Sequence, residues 1–272
     1  MSTAPPTGDH PPNADDLPRA KRSLGQNFLV DPNTIRAIIG ALRASPGDRV
    51  FEIGPGRGAL TEEMLGQGLE VSVLEKDRVL ARYLADRHPQ LRVIVGDAMQ
   101  FAWEGMRGDW RVIGNLPYNV ASPIIWDLVA RTPAARRMVF TVQKEVAQRL
   151  CAAPGSRAYG ALSVWVQTFA GVHYERTLGG NVFRPRPKVD SAVVSLDPAG
   201  RSLSQAQQEA LGQVLRVCFQ KRRKQLGSIL KSVWSPELEA WLEAQGLDRR
   251  VRPEALSPEA FLELARLVGG EF

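Results

Sequence analysis

The chain has 272 residues, 44% of them hydrophobic, enough to bury the core of one full α/β domain with a smaller companion. A net charge of +6 and a pI near 9.6 fit a polyanionic partner without requiring one. Cys151 and Cys218 lie far apart without CxxC spacing and His10, His88 and His173 stand singly, which excludes a disulfide framework and leaves no metal site to expect.

In chain order, residues 1–19 read as a disordered tail, because Pro5, Pro6, Pro11, Pro12 and Pro18 fall within it and no apolar run accompanies them. The same composition excludes a signal peptide. No stretch approaches the roughly 18 consecutive apolar residues of a membrane helix, so a cytoplasmic protein with no membrane partner is expected. Four short apolar, β-branched runs follow at 49–53, 70–74, 91–95 and 110–113, and helical patterns at 58–67 and 78–87 fill the gaps between them. Strands alternating with helices at this spacing describe βαβ units on a parallel sheet. Two further strands, 137–142 and 192–196, and helices over 143–152 and 161–170 bring the sheet to six or seven strands. After residue 198 the β pattern stops. A helix over 204–219, a basic stretch to Trp234, and two segments opening Ser235-Pro236-Glu237 and Ser257-Pro258-Glu259 predict a small helical domain over 199–272, after an α/β domain over 20–198.

Ligands on such sheets sit at the carboxyl ends of the strands, which here read Glu52-Ile53-Gly54, Glu75, Asp97 and Asn115. Gly54, Gly56 and Gly58 stand at alternate positions between a strand and a helix, where the backbone can turn tightly against a ligand. Glu75 ends the second strand about 20 residues later, placed to accept both hydroxyl hydrogens of a ribose. Asp97 ends the third and is placed to accept from an adenine amine. A nicotinamide site would carry GxGxxG with amides aimed at a pyrophosphate. Here the run is GxGxG and the acidic Glu52 precedes it, which suits a ligand with an amino group and a sulfonium better than a diphosphate. S-adenosyl-L-methionine is therefore the expected cofactor.

The fourth strand ends in Gly114-Asn115-Leu116-Pro117-Tyr118-Asn119. An adenine's exocyclic amine is a poor nucleophile because its lone pair is delocalised into the ring. The Asn115 side-chain oxygen and a neighbouring carbonyl, with Asn115 and Leu116 the candidates, would localise that lone pair by accepting from the amine. Tyr118 would stack on one face of the base and Phe183, in a Pro-rich segment flanked by Arg184, Arg186 and Lys188, on the other.

Taken together, KRSLGQNFL from Lys21, EIGPGRGALT from Glu52, GDAM from Gly96, NLPY from Asn115, FRPRPKVDSAV from Phe183 and FQKRRKQLGSIL from Phe219 resemble the small-subunit ribosomal RNA adenine dimethyltransferase family. The resemblance runs from about residue 20 to the C-terminus. It implies an α/β fold, a Rossmann-like S-adenosylmethionine-dependent methyltransferase sheet with a small C-terminal α-helical domain. It also implies dimethylation of two adjacent adenines in the 3′-terminal hairpin of small-subunit ribosomal RNA, late in assembly of the particle, by a monomer. It adds Asn27 and Leu29 to the cofactor set of Gly54, Glu75, Asp97 and Asn115, and groups Asn115, Leu116, Tyr118 and Phe183 around the target. From the residues alone QNFL reads as a loop packing Phe28 and Leu29 into the core. Lys221, Arg222, Arg223 and Lys224 lie in an apolar helical pattern that puts several of them on one face. With Lys21, Arg22, Arg184, Arg186 and Lys188 they are the expected phosphate contacts, whose affinity should fall as salt rises. Two rivals share much of the pattern: a large-subunit ribosomal RNA adenine methyltransferase of the antibiotic-resistance type, and a non-catalytic assembly factor, against which intact Glu75, Asp97 and NLPY speak.

Overall fold

The computed structural model describes residues 18–21, 24–132 and 134–269. Arg22 and all but the last two residues of the predicted tail lie outside them. The chain opens with β1 (Phe28–Leu29) and α1 (Pro32–Ala41), then alternates β2 (Arg49–Ile53), α2 (Ala59–Gly66), β3 (Glu70–Glu75), α3 (Arg78–Arg87), β4 (Arg92–Val95), β5 (Trp110–Asn115) and α4 (Ala121–Arg131). Next come β6 (Ala135–Gln143), α5 (Lys144–Leu150), α6 (Ala161–Phe169), β7 (Ala170–Leu178), β8 (Phe183–Arg184) and β9 (Ser191–Pro198). The chain then turns helical, with α7 (Gln205–Gln220), α8 (Leu226–Ile229), α9 (Pro236–Ala244) and α10 (Pro258–Leu267).

Seven strands form one sheet in the order β4-β3-β2-β5-β6-β9-β7. β4 through β6 run parallel, as the βαβ spacing predicts, and β9 and β7 add antiparallel. A second sheet pairs β1 with β8, so that Leu29 faces Phe183. The central strands are mostly apolar because both faces are covered. Val50, Val73, Ile113 and Val139 pack toward α1 and α2, while their neighbours Phe51, Leu74, Val112 and Met138 pack toward α4 and α6. Burying each such side chain contributes about 1.5–3 kcal/mol, so the strand ends that carry the polar rim are held on a rigid base.

Local chemistry sets the helix starts. Ser235 and Ser257 each accept an amide of the following helix and are followed by Pro at its first position, as predicted. Asp31-Pro32 does the same for α1, with Asp31 accepting from the Thr34 amide at 2.7 Å. Asp77 caps α3 through the Val79 amide at 3.0 Å. The later helices are not isolated from the sheet: α7 and α10 pack against α6, and one apolar core runs from Phe140 and Val194 through Trp165 to Leu211 and Phe261.

The basic stretch departs from expectation. α7 ends at Gln220, and Lys221 through Lys224 form a turn closed by the Lys224 amide on the Lys221 carbonyl at 2.8 Å. These cations therefore do not share a helical face. Among the described residues no helix is long and apolar enough to cross a membrane.

Candidate active site

At the carboxyl ends of β2, β3, β4 and β5 a pocket opens that holds about 1210 Å³, counting its mouth. Its wall includes Gly54, Glu75, Asp97, Asn115, Leu116 and Tyr118, drawn from four separated segments of the chain, and also Asn27 and Leu29 from a fifth. Gly54 and Gly56 have φ of +67° and +60°, the left-handed region where a side chain is strained. A Cβ on Gly54 would meet no atom within 4 Å and so would occupy the pocket itself, whereas one on Gly56 would lie 2.9 Å from the Phe28 ring. The turn is thus pressed flat between Phe28 and the pocket, a cradle for a ligand that touches backbone.

Three carboxyl groups line this cradle in different states. Glu75 is 5% exposed; its Oε2 accepts from the Gly56 amide at 3.1 Å and its Oε1 from the Asp77 amide at 2.8 Å. Burial raises its pKa above the usual carboxyl range. Glu52, 1% exposed, accepts from the Thr61 hydroxyl at 2.5 Å. Burial, helped by the neighbouring Glu75, pushes its pKa up to about 8 against the opposing Thr61 hydrogen bond. Asp97 goes the other way: Lys76 at 2.7 Å and the Met99 amide at 3.0 Å lower its pKa and keep it charged.

Glu52 carries a testable consequence for stability. Its folded pKa lies above its unfolded value, so the folded state binds the proton more tightly. The associated stability is fully present below the unfolded pKa, near 4.5, and is lost as pH rises through about 8. Chemical denaturation of the ligand-free protein at pH 5 and pH 8 should show this loss in the wild type and a smaller one in Glu52→Gln. Equal pH dependence in the two proteins would contradict it.

The acceptor loop leaves β5 with its side chains already oriented. Asn115 Nδ2 donates to the Asn27 carbonyl at 2.7 Å. A carbonyl only accepts, so this bond fixes which end of the amide is which, and Oδ1 is the end left over. Among the described residues neither Asn115 Oδ1 nor the Leu116 carbonyl receives a donor. The half-buried Tyr118 directs its hydroxyl to Ser191 Oγ at 2.6 Å, and burial raises its pKa.

Other expected residues are placed differently. Phe183 is fully buried behind Leu29, among Ile35, Val139 and Val193, and is not on the pocket wall. Pairing of β8 with β1 turns the ring inward, so the expected exposed ring is corrected. Lys21 forms an ion pair with Asp77 at 2.8 Å. Arg222 is spent on Glu254 at 3.1 Å and on the carbonyls of Arg157 and Ser156, bracing the turn after α7. Arg184 folds back on the carbonyls of Asn181 and Phe183. Arg186, Lys188, Lys221, Arg223 and Lys224 are exposed. Residue spacing missed Arg57 and Lys76. Arg57 donates to the Pro18 carbonyl at 2.9 Å and lies 4.6 Å over the Phe28 ring, tying the N-terminal segment across the glycine turn.

A parallel-centred sheet with a flat glycine turn, an acid ending each of the next two strands, and an asparagine loop beside them define an S-adenosylmethionine-dependent methyltransferase. Solved structures bear out the class. A dimethyladenosine transferase from Plasmodium falciparum superposes with a TM-score of 0.73 at 26% identity, covering 87% of this chain and 95% of that one. The 23S ribosomal RNA methyltransferase ErmE gives 0.68 at 26% identity over 89% and 99%. The ribosomal RNA adenine dimethylase family matches residues 18–268, and the chain belongs to it. Relatives called ribosomal RNA small subunit methyltransferase A include one from Maridesulfovibrio salexigens, 47% identical over 93% of this chain and 97% of its own length. Another, from Oleidesulfovibrio alaskensis, is 49% identical over 92% of each.

Proposed function

We propose that this enzyme dimethylates the exocyclic amines of two adjacent adenines in the 3′-terminal hairpin of small-subunit ribosomal RNA, working as a cytoplasmic monomer on the late precursor particle. The observation that carries the reading is the pinned amide of Asn115, whose Nδ2 is held on the Asn27 carbonyl so that Oδ1 is left as a free acceptor on the pocket wall. The names of the relatives support the choice of subunit.

The pocket suits S-adenosylmethionine: a side chain at Gly54 would fill it, Glu75 ends β3 on the pocket wall where it could accept from ribose hydroxyls, and the charged Asp97 could accept from an adenine amine. Asn27, Leu29, Gly54, Glu75, Asp97 and Asn115 would hold the cofactor. Bound there, it supplies a methyl group already activated on a sulfonium leaving group.

The protein's own work is alignment and polarisation. Asn115 Oδ1 and the Leu116 carbonyl would accept from the adenine amine, both in the first transfer and one of them in the second when a single hydrogen is left, concentrating its lone pair and turning it toward the methyl donor. Holding two reactants in line contributes up to about 7–11 kcal/mol in favourable cases. The alkylated amine is acidic and releases its proton to solvent, so no general base is required. Tyr118 stacks on the extruded base, a contact worth about 1–3 kcal/mol for bases on aromatic rings. The exposed Arg186, Lys188, Lys221, Arg223 and Lys224 are left to meet phosphates, those after α7 as part of a helical RNA-contacting unit over 199–272.

Incubation with labelled cofactor and separated precursor subunits tests the assignment. Label should enter the small-subunit RNA. Label confined to large-subunit RNA would replace this reading with the ErmE type of activity.

A further inference from the structure

Tyr118 leaves the loop after β5, and its ring is held at the far end through one hydrogen bond, to a residue of another strand 73 positions along the chain. That residue, Ser191, is the first of β9 and is wholly buried. β9 is laced on both sides there: Ser191 pairs with Gln143 of β6 and with Leu178 of β7. The corner is closed by the Lys144 amide on the Asp190 carbonyl at 3.0 Å. Ser191 is therefore among the best-fixed polar groups near the pocket, although it does not line the pocket wall.

We propose that Ser191 is a positioning residue for methyl transfer, fixing the far end of the Tyr118 ring in place so that the slot for the target base is formed before RNA arrives. The inference rests on Tyr118 being the stacking platform. A buried hydroxyl is unfavourable unless hydrogen-bonded, and here the two hydroxyls satisfy one another at 2.6 Å. A swing of the Tyr118 side chain about Cα–Cβ would carry its hydroxyl away and leave the buried Ser191 hydroxyl without a partner, so the bond resists that swing. Burial keeps the Tyr118 phenol neutral, able to donate or accept in this pair. The bond also joins the NLPY and FRPRPKVDS segments, which the sequence places on separate elements.

The test is a double-mutant cycle on the full-length enzyme with precursor small-subunit particles. Ser191→Ala and Tyr118→Phe should each lower kcat/KM for RNA about three- to tenfold, the range of one neutral hydrogen bond, while S-adenosylmethionine affinity stays at the wild-type value. The double variant should be no worse than either single one, since all three lack the same bond. Tyr118→Phe removes the bond without touching β9, so the cycle does not depend on how well Ser191→Ala folds. Independent, multiplying losses, or wild-type activity in Tyr118→Phe, would overturn the proposal. Tyr118→Ala separates this from the stacking reading: a large loss there beside an unaffected Tyr118→Phe overturns the positioning role alone, whereas a fully active Tyr118→Ala overturns both.

Discussion

Asn115→Ala should abolish nearly all methyl transfer while leaving S-adenosylmethionine affinity within about tenfold of the wild type. The asymmetry follows from where the two ends of the amide point. Nδ2 is held by the Asn27 carbonyl at 2.7 Å, a bond within the protein, so Oδ1 faces the side from which an amine would approach. Its acceptor strength matters most as the lone pair of that amine leaves the ring, which is a transition-state contribution and acts on kcat. Loss of one preorganised polar group of this kind costs about 10²–10³ in kcat. Asn115→Asp sharpens the experiment. It keeps the shape and an acceptor oxygen, yet sets a carboxylate oxygen against the Asn27 carbonyl where Nδ2 now donates, so the side chain must turn away and activity should fall nearly as far. Single-turnover rates and cofactor titrations on the three proteins decide it, and Asn115→Ala turning over at the wild-type rate would remove the amine-polarising role.

Glu75→Ala should act on the other quantity. Both of its oxygens already hold the pocket together, one on the Gly56 amide and one on the Asp77 amide, and the group is nearly inaccessible. Truncation removes the acceptor proposed for the ribose and strips two buried amides of their partner, each worth about 1–3 kcal/mol. The flat glycine turn and the α3 N-terminus are loosened together. We expect the dissociation constant of S-adenosylmethionine to rise about 100-fold or more, a change of at least roughly 2.7 kcal/mol, with a smaller rise in Glu75→Gln, which keeps one carbonyl oxygen. Calorimetric titration reads this directly. A dissociation constant within threefold of the wild type in Glu75→Ala would show that Glu75 braces the turn without touching the cofactor.

These two residues were legible because their signal is local. A strand of β-branched residues announces its own end, and what stands there in an α/β sheet faces the ligand rim, so Glu75, Asp97 and Asn115 could be assigned from four apolar runs. The boundaries of β2 and α3 were likewise written in the chain, by apolar alternation and by the Asp77 cap. α1 was not predicted, although Asp31-Pro32 is the acidic counterpart of the Ser-Pro starts recognised at Ser235 and Ser257. The edge strand β7 carried no such mark: most of Ala170–Leu178 is exposed, and no apolar alternation betrays a strand with one neighbour and a bulge near Tyr174.

What escaped the sequence was pairing. Nothing in the spacing of Phe183 says that β8 will zip onto β1 and bury the ring, and nothing in a run of four cations says that one will clamp Glu254 while its neighbours stay free. Lys21 and Arg57 are of the same kind. Both are spent on holding the N-terminal segment over the pocket, through Asp77 and the Pro18 carbonyl. Charge type predicted a phosphate contact for Lys21, but the partner it meets is set by the tertiary fold.

The central claim is that the Asn115 loop presents an adenine amine of small-subunit RNA to the methyl donor. Digestion of methylated precursor small-subunit RNA to nucleosides, with mass spectrometry and mapping of the modified positions, tests it most directly. The account predicts N6,N6-dimethyladenosine at two adjacent positions near the 3′ end, formed by the wild type and not by Asn115→Ala. Methyl groups on ribose, on another base, or on adenines elsewhere would contradict it.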